Sequence, residues 1–359
     1  MLARRLKPVL EELLIPVLAV ILAMVLASGL VVMAGGSPLR TYRALISGAF
    51  GTARNLMTTL QWATPLILTG LAAMVAVGSG IFNVGLEGQM ILGGLAAAYL
   101  GYAVQLPTVV HISVALLAAV VVGAVWAYIP GLLKVKWNVN EIVITIVMNS
   151  IAQLLFDYLL DTYMRTPSAQ GRSHSPIVLP TATLMPFVQG TRFGPGFVIA
   201  VGAAILVYIY MFQTTQGYEQ RMTGAASLFA KYGGIRIDRA ALRGMVISGA
   251  LCGLAGAIEV LGVHRRVMGG FSTGLGFDGL MVSILGGMHP FGVALGAIFI
   301  AGLRQGALAL EWGSRIPRQL GGGIIALIIL LMAAKSMLLS GMERVARWIG
   351  RAPAQEEGI

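Results

Sequence analysis

Charged residues and cysteines are both scarce in this sequence. Asp, Glu, Lys and Arg make up only 11% of its 359 residues, whereas about 25% of an average soluble domain is charged. Although the net charge is +11, so little charge excludes an ordinary soluble enzyme, a disordered chain and a nucleic-acid-binding protein. Because Cys252 is the one cysteine, neither an internal disulfide nor a cysteine-based metal cluster can form.

Motifs for nucleotide and metal chemistry are missing as well. The sequence contains no G-x-x-x-x-G-K-[ST] loop for ATP and no H-E-x-x-H zinc motif, and its four histidines are scattered. No paired catalytic acids are visible either. We therefore predict no catalytic residue, no metal site and no cofactor in this chain, so that energy for uphill work comes from a partner or an ion gradient.

Long apolar runs are abundant, since 57% of the residues are hydrophobic and the mean hydropathy is +0.84. About 20 apolar residues cross about 30 Å of hydrocarbon as a helix. This predicts an all-α, polytopic transmembrane helical bundle, with residues 1–359 as a single domain. Span 274–288 is short and glycine-rich, so we expect it to be bent or half-crossing. About ten spans are expected, over approximately 14–34, 57–79, 87–105, 109–133, 141–162, 195–213, 243–263, 274–288, 290–310 and 320–340.

The positions of the lysines predict the orientation. An even number of spans places both termini on one side of the membrane, and all five lysines then fall on that side. Since basic residues concentrate in cytoplasmic loops, we expect both termini in the cytoplasm. The same orientation gives a cytoplasmic tail over 343–359 and a cytoplasmic loop over 214–243.

A faint internal repeat links two distant stretches of the chain. The sequence EGQMILGG (87–94) resembles DGLM (278–281) followed by ILGG (284–287). Each copy follows an aromatic residue, Phe82 or Phe277. Glycine-interrupted segments at matching places in two halves are typical of a transport pathway, so we predict two internally related halves. Chance similarity between apolar sequences is the alternative.

Polar side chains within or beside the apolar runs are candidates for a solute path. Acids at membrane depth are usually functional, and polar segments there need protein or a water-filled cavity around them. The alternative for the stretch 80–89 is a solvated turn. The alternative for Glu259, near the end of the apolar run 254–263, is an interfacial position. The candidates are Asn83, Glu87, Gln89, Asn149, Glu259 and Asp278.

The main polar break within the chain is 214–243. Thr223 is predicted to cap a short helix through 225–231, which the Gly233-Gly234 pair would end. Such a helix would offer Leu228 and Phe229 to a groove on a partner. A plain interfacial helix is the alternative.

Four stretches of sequence, taken together and in order, are similar to a known family. They resemble the permease subunits of ABC importers in the branched-chain amino acid and ribose permease superfamily. The similarity covers about residues 57–335 and is greatest to the longer permease subunit of the nucleoside branch, which depends on a basic membrane protein. The stretches are FNVGLEGQM (82–90), NEIVITIVMN (140–149), ISGALCGLAGAIEVLG (247–262) and GFDGLMVSILGGMHPFG (276–292).

The resemblance implies a set of partners. Such permeases look like bundles of about ten helices with two related halves, in the bacterial plasma (inner) membrane. They pair with a second permease subunit and sit on ATPase subunits, which bind the ATP. A substrate-binding lipoprotein or periplasmic protein delivers the cargo, which in this branch looks like a nucleoside.

The resemblance also implies where the ATPase docks. Relatives carry their coupling segment at the position of the 214–243 loop. This chain departs from them, because Gly-Ala-Ala-Ser (224–227) stands where relatives often have a Gly-x-Asn-Pro-like turn. The expected coupling residues are Arg221, Gly224, Leu228, Phe229, Tyr232, Gly233 and Gly234.

Two other readings of the function stay open from the sequence. A sugar or branched-chain amino acid permease of the same superfamily is the nearest one. An ion-coupled secondary transporter, with Glu87 or Asp278 as proton carrier, belongs to a different class. An integral membrane enzyme has no support from any motif in the chain.

Overall fold

The computed structural model describes residues 37–166 and 173–313, with 24–26, 28–29, 31–33 and 323. The expected span 320–340, most of span 14–34 and the expected tail 343–359 lie outside the described residues. Backbone contacts group residues 46–306 into one compact unit, and 1–45 with 307–359 into a second. The described part is α-helical, as predicted, and its β pairing amounts to a single bridge between His174 and Met268.

The described ranges 37–166 and 173–313 contain eleven α-helices. One π-helical turn, Leu160–Met164, extends helix Glu141–Leu159, and another, Glu259–His264, extends helix Ile237–Ile258. A 3-10 turn forms at Pro180–Ala182. The helices are α1 Pro38–Phe50, α2 Ala53–Gly78, α3 Leu86–Ala103, α4 Thr108–Trp137, α5 Glu141–Leu159, α6 Pro195–Gln213, α7 Thr215–Ala225, α8 Ser227–Tyr232, α9 Ile237–Ile258, α10 Leu275–Leu285 and α11 Pro290–Gly313.

Six of the described helices are long and apolar enough to cross a membrane: α2, α4, α5, α6, α9 and α11. The number rises to seven if the bent pair Met24–Met33 and Pro38–Phe50 forms one span. Expected span 87–105 becomes α3, whose first turns carry Glu87 and Gln89 and lower its hydropathy. Expected span 274–288 becomes α10, whose 11 residues extend about 16 Å, half of the hydrocarbon thickness.

The helix α2 occupies the centre of unit 46–306. It begins at Thr52, whose side-chain oxygen accepts a hydrogen bond from the Asn55 N–H at 3.1 Å. Its most apolar stretch is 78% buried, because α6, α9 and α10 pack against it. The corresponding stretches of α4 and α5 are 22% buried and carry exposed valine, leucine and isoleucine side chains, as expected of helices that face lipid.

Glycines allow α9 to approach α4 very closely. A Cβ placed on Gly249 would overlap the carbonyl oxygen of Gly123, and one on Gly253 would overlap that of Ala119. Small residues matter at such contacts because lipid supplies no hydrophobic force to bring helices together. The α4–α9 pair therefore depends on backbone contact over more than one helical turn.

We predict that Gly249→Val destabilises the protein by about 1–3 kcal/mol, because the new side chain must push α9 away from α4. The measurement is the apparent melting temperature of the purified chain in detergent. The matched control is Gly202→Val on α6, since nothing lies within 4 Å of a Cβ at Gly202. Equal melting temperatures for the two variants would contradict this account of the α4–α9 contact.

Candidate functional site

Residues 79–85 connect α2 to α3, and two predicted path residues hold this connector in place. Asn83 and Gln89 form a reciprocal pair of amide hydrogen bonds, at 3.1 and 3.2 Å. The Asn83 amide also donates to the Ser248 hydroxyl of α9 at 2.9 Å and accepts from the Gly85 N–H at 2.9 Å. All three side chains, Asn83, Gln89 and Ser248, are fully buried. They therefore fix the start of α3 against α9.

A third predicted path residue, Asn149 of α5, bonds to the same connector. Its amide donates to the Val84 carbonyl oxygen at 2.9 Å and accepts from the Gly88 N–H at 2.9 Å. One turn earlier, the Thr145 hydroxyl accepts from the Val84 N–H at 3.2 Å. These bonds satisfy backbone groups that helical structure leaves open, which is the condition for irregular backbone at membrane depth.

The carboxylate of Glu87 joins the starts of α3 and α10. One of its oxygens accepts from the Gly274 N–H at 3.1 Å, and the other from the Gly276 N–H at 2.7 Å. Both N–H groups belong to the beginning of α10, where a helix leaves its amides unpaired and carries partial positive charge. The two short or polar helices of the predicted repeat therefore meet at their N-terminal ends.

Asp278 lies in the first turn of α10 and forms an ion pair with Arg304 of α11. The two side chains are 17% and 29% exposed. Sequence reasoning missed Arg304, although an arginine inside the apolar run 290–310 is a signal of the same kind as an intramembrane acid. The pair connects the short helix α10 to the full-length helix that follows it.

Glu259 does not join the other predicted path residues. It lies in the π-helical turn that extends α9, 11 residues after Ser248, or about 16 Å farther along the helix axis. Its carboxylate is 3% exposed, lies 3.5 Å from the His264 ring nitrogen, and borders a cavity of about 20 Å³ together with Gln61 and Arg192. That volume is the size of one water molecule.

The expected coupling segment folds as two helices with a break between them. The Thr214 hydroxyl caps α7 by accepting from the Gly217 N–H at 3.0 Å. The prediction that Thr223 caps the following helix is wrong, because its hydroxyl donates to the Glu219 carbonyl oxygen within α7. Gly233 and Gly234 do follow the end of α8, and Gly234 has a φ of +80°, which favours glycine.

The short helix α8 carries three exposed apolar or aromatic side chains. Leu228 is 73% exposed, Phe229 66% and Tyr232 92%, whereas Ala230 is buried against the rest of the segment. Isolated exposed hydrophobic residues are normal on proteins, but a cluster at a polar break in the chain is typical of an interaction surface.

The coupling segment also makes two contacts with the membrane helices. A Cβ on Gly224 would lie 2.5 Å from the Gly78 carbonyl oxygen, so α7 packs directly against the end of α2, where the connector begins. The Arg221 guanidinium lies over the Phe212 ring, 4.7 Å from its centre, and that ring lies 5.2 Å from the His289 ring. His289 stands in the turn between α10 and α11, and sequence reasoning gave it no role.

Comparison with known proteins identifies relatives over most of the chain. A profile of the family described as branched-chain amino acid transport system, permease component, matches residues 55–333. The guanosine ABC transporter permease protein NupP of Bacillus subtilis is 35% identical over 328 residues, 90% of this chain and 94% of that protein. No solved structure matches the chain.

Two other curated relatives carry different substrates in their names. The glucose ABC transporter permease protein TsgB13 of Haloferax volcanii is 32% identical, over 88% of this chain and 86% of its own. The nucleoside ABC transporter permease protein NupB of Lactococcus lactis is 27% identical, over 91% of this chain and 92% of its own. All three relatives are permeases of nearly the same extent as this chain.

We predict that Glu87→Ala speeds amide hydrogen exchange at Gly274 and Gly276 on the order of tenfold or more, because their N–H groups lose a charged acceptor. Mass spectrometry of peptides that cover 273–277 measures this. Glu87→Gln, which keeps one acceptor oxygen, is expected to have a smaller effect.

The matched control for Glu87→Ala is Glu141→Ala. Glu141 also stands in the first turn of a helix, but it pairs with Lys134 at 3.0 Å and makes no bond to α10. Its removal is expected to leave exchange at 273–277 unchanged. If Glu87→Ala exchanged at the wild-type rate there, the carboxylate would not hold the start of α10.

Proposed function

The chain belongs to the permease family of branched-chain amino acid transport systems, and we propose that it forms the membrane path of an importer for nucleosides. It is a multi-pass membrane permease of an ABC importer and not an enzyme. Nucleosides are favoured because two relatives are named for guanosine and nucleoside transport. A sugar is the second candidate, because one relative is named for glucose, and a branched-chain amino acid is the third. ATP-driven import is favoured over ion coupling by the family.

We propose the complete architecture to be about ten spans in two related halves. Two apolar helices, α3 and α10, are not among the six or seven described spans. They begin inside the bundle, at Glu87 and at Gly274 to Gly276. In transporters with related halves, interrupted helices at matching places meet near the middle of the membrane. The contact between the starts of α3 and α10 supports this arrangement.

The proposed orientation places the N- and C-termini and the coupling segment in the cytoplasm of a bacterium, with the chain in the plasma membrane. The basic residues of 214–243 and of the end of α4 support it. The family implies ATPase and binding-protein partners. We further propose a second permease subunit and a substrate-binding lipoprotein or periplasmic protein.

The proposed solute path runs past the junction of α3 and α10. Glu87 and Asp278 stand in the first turns of these helices, where carboxylates can accept hydrogen bonds from the hydroxyl and base-edge groups of a nucleoside. Asn83 and Gln89 are bonded to each other, and Asn149 is bonded to the connector and to the start of α3, so we assign these three residues the task of holding the junction. Glu259 would act at a second, separate point of the path.

The proposed ATPase docking surface is the exposed face of α8, formed by Leu228, Phe229 and Tyr232. Gly224 and Arg221 would pass a movement of this surface to the membrane helices. Gly224 contacts the end of α2, and Arg221 contacts α6, whose Phe212 touches the α10–α11 turn. Gly233 and Gly234 set the end of the docking helix.

These two contacts suggest how ATP hydrolysis changes the path. One leads from α7 to the connector and the start of α3, and the other leads to the turn at the end of α10. A movement of α7 therefore acts on the two helices whose starts are joined by Glu87. A ligand or partner shifts such an equilibrium only by preferring one of its states, and we propose that the ATPase does so through α8.

We predict that Leu228→Asp with Phe229→Asp abolishes uptake while the permease still folds, because two charges replace the apolar docking surface on an exposed helix. Co-purification of the ATPase and stimulation of its activity are the direct measurements. Both are expected to fall on the order of tenfold or more, as for the loss of central interface residues.

A matched control carries two aspartates at exposed apolar positions of residues 173–194, which precede α6. Ile177 and Val188 are 60% and 41% exposed there. Ile177→Asp with Val188→Asp is expected to keep ATPase co-purification. Survival of uptake and of ATPase stimulation in the Leu228 and Phe229 variant would show that α8 is not the docking surface.

We predict that Asp278→Asn and Arg304→Gln each lower uptake of labelled guanosine at least tenfold. Each is also expected to lower the amount of folded protein, because breaking a partly buried ion pair leaves a charge unpaired. The double variant is expected to recover protein amount but not uptake. Parallel uptake assays with labelled guanosine, labelled glucose and labelled leucine distinguish the three cargo classes.

The double variant also separates a role in the path from a purely structural role. If it regained uptake together with protein amount, the pair would only stabilise α10 against α11. If the wild-type chain supported uptake of labelled glucose and not of labelled guanosine, it would be a sugar permease with the same path.

A further inference from the structure

A cavity of about 820 Å³ lies apart from the proposed path, between α4, α6, α7 and the first half of α9. Its walls include Arg236, the residue that precedes α9, together with Arg239 and Arg243 of α9. The four-residue spacing places Arg239 and Arg243 on one face of the helix. Neither the path nor the docking surface uses this cavity.

The charge in the cavity is only partly compensated. Arg243 forms an ion pair with Glu219 of α7, but among the described residues no carboxylate pairs with Arg236 or Arg239. Two buried polar atoms at the cavity also find no hydrogen-bond partner in the described part of the chain, the hydroxyl of Tyr210 and Nε of Arg243. Two buried polar atoms without partners, beside the exposed guanidinium groups of Arg236 and Arg239, make the cavity suited to an anionic group.

The other end of the cavity is apolar. Leu242, Val246 and Ile247 continue the arginine face of α9 into its membrane-crossing part, and Tyr128 of α4 faces them across the cavity. The cavity is therefore cationic toward the end of α9 that joins the coupling segment, and apolar toward the hydrocarbon. A free phosphate ion would leave the apolar half unfilled.

We propose that this cavity binds one anionic phospholipid of the cytoplasmic leaflet. Its phosphate would accept hydrogen bonds from Arg236, Arg239 and Tyr210, and its glycerol and the first acyl carbons would cover Val246 and Ile247. Basic pockets between helices on the cytoplasmic side are suited to such headgroups. The assignment rests on the orientation given under the proposed function, and not on the cargo or on the ATPase contact.

A protein segment is the competing occupant, and two features favour lipid over it. The apolar half belongs to two helices that cross the membrane, so lipid reaches it without leaving the bilayer. The exposed arginines stand where a basic side chain meets the headgroups of the anionic inner leaflet. A bound lipid would also contact α7 through Gln216 and Glu219, so the lipid composition would affect the coupling segment.

The test is lipid retention by the full-length chain in detergent, measured by native mass spectrometry after addition of equal amounts of phosphatidylglycerol and phosphatidylcholine. We expect the wild-type chain to retain one phosphatidylglycerol in preference. Arg236→Gln with Arg239→Gln is expected to lower that retention on the order of tenfold. The matched control, Lys136→Gln with Lys231→Gln, removes two exposed charges from the same side outside the cavity and is expected to retain the lipid.

Two further measurements distinguish binding of a lipid from binding of a free anion. Val246→Trp fills the apolar half and is expected to lower phosphatidylglycerol retention, and millimolar inorganic phosphate is expected not to displace the lipid. Size-exclusion profiles and melting temperatures verify that each variant is folded.

Several outcomes would overturn the proposal. They are equal retention of both lipids, equal retention by the two double variants, displacement by inorganic phosphate, and unchanged retention in Val246→Trp. Loss of ATPase co-purification in the arginine variant without any change in lipid retention would assign the cavity to a protein contact. Because retention is measured on the chain alone, its failure would leave the proposed import function standing, and failed guanosine uptake would leave the lipid result standing.

Discussion

Backbone groups that leave regular helix inside a membrane need hydrogen-bond partners from the protein, because hydrocarbon offers none. This requirement explains the positions of the polar side chains around the connector between α2 and α3. Asn83 and Asn149 bond to the connector between α2 and α3, and Glu87 bonds to the start of α10. The chain has few charged residues. Two of its carboxylates, Glu87 and Asp278, lie in the first turns of α3 and α10.

The close contacts of α9 define what can move. Its glycines bring it against the backbones of α3 and α4, and Ser248 adds a hydrogen bond to Asn83. Interiors packed in this way shift between discrete arrangements and do not deform gradually. Rearrangement is therefore easiest at helix starts and connectors, which is where the coupling segment makes contact.

The coupling segment contacts the membrane helices at two places with different chemistry. Gly224 packs backbone to backbone against the end of α2. The Arg221 guanidinium makes a cation–π contact with the Phe212 ring of α6. A helix held at two places transmits rotation as well as translation. This arrangement supports our proposal that a movement of α7 acts on both α3 and α10.

The sequence by itself determined the class of the protein: apolar runs and scarce charge predict a helical membrane protein, and four motifs in order predict its family. It also singled out polar side chains in apolar runs as candidates for the path, and the structure places four of them, Asn83, Glu87, Gln89 and Asn149, in hydrogen bonds at the junction. It did not predict their separate tasks. The pairing of Asp278 with Arg304, the bonds from Glu87 to α10 and the wrong cap at Thr223 all depend on contacts between residues far apart in the chain or on competing local hydrogen bonds. Only the tertiary structure decided these, since periodicity and composition specify the face of a helix and not the neighbour that it meets.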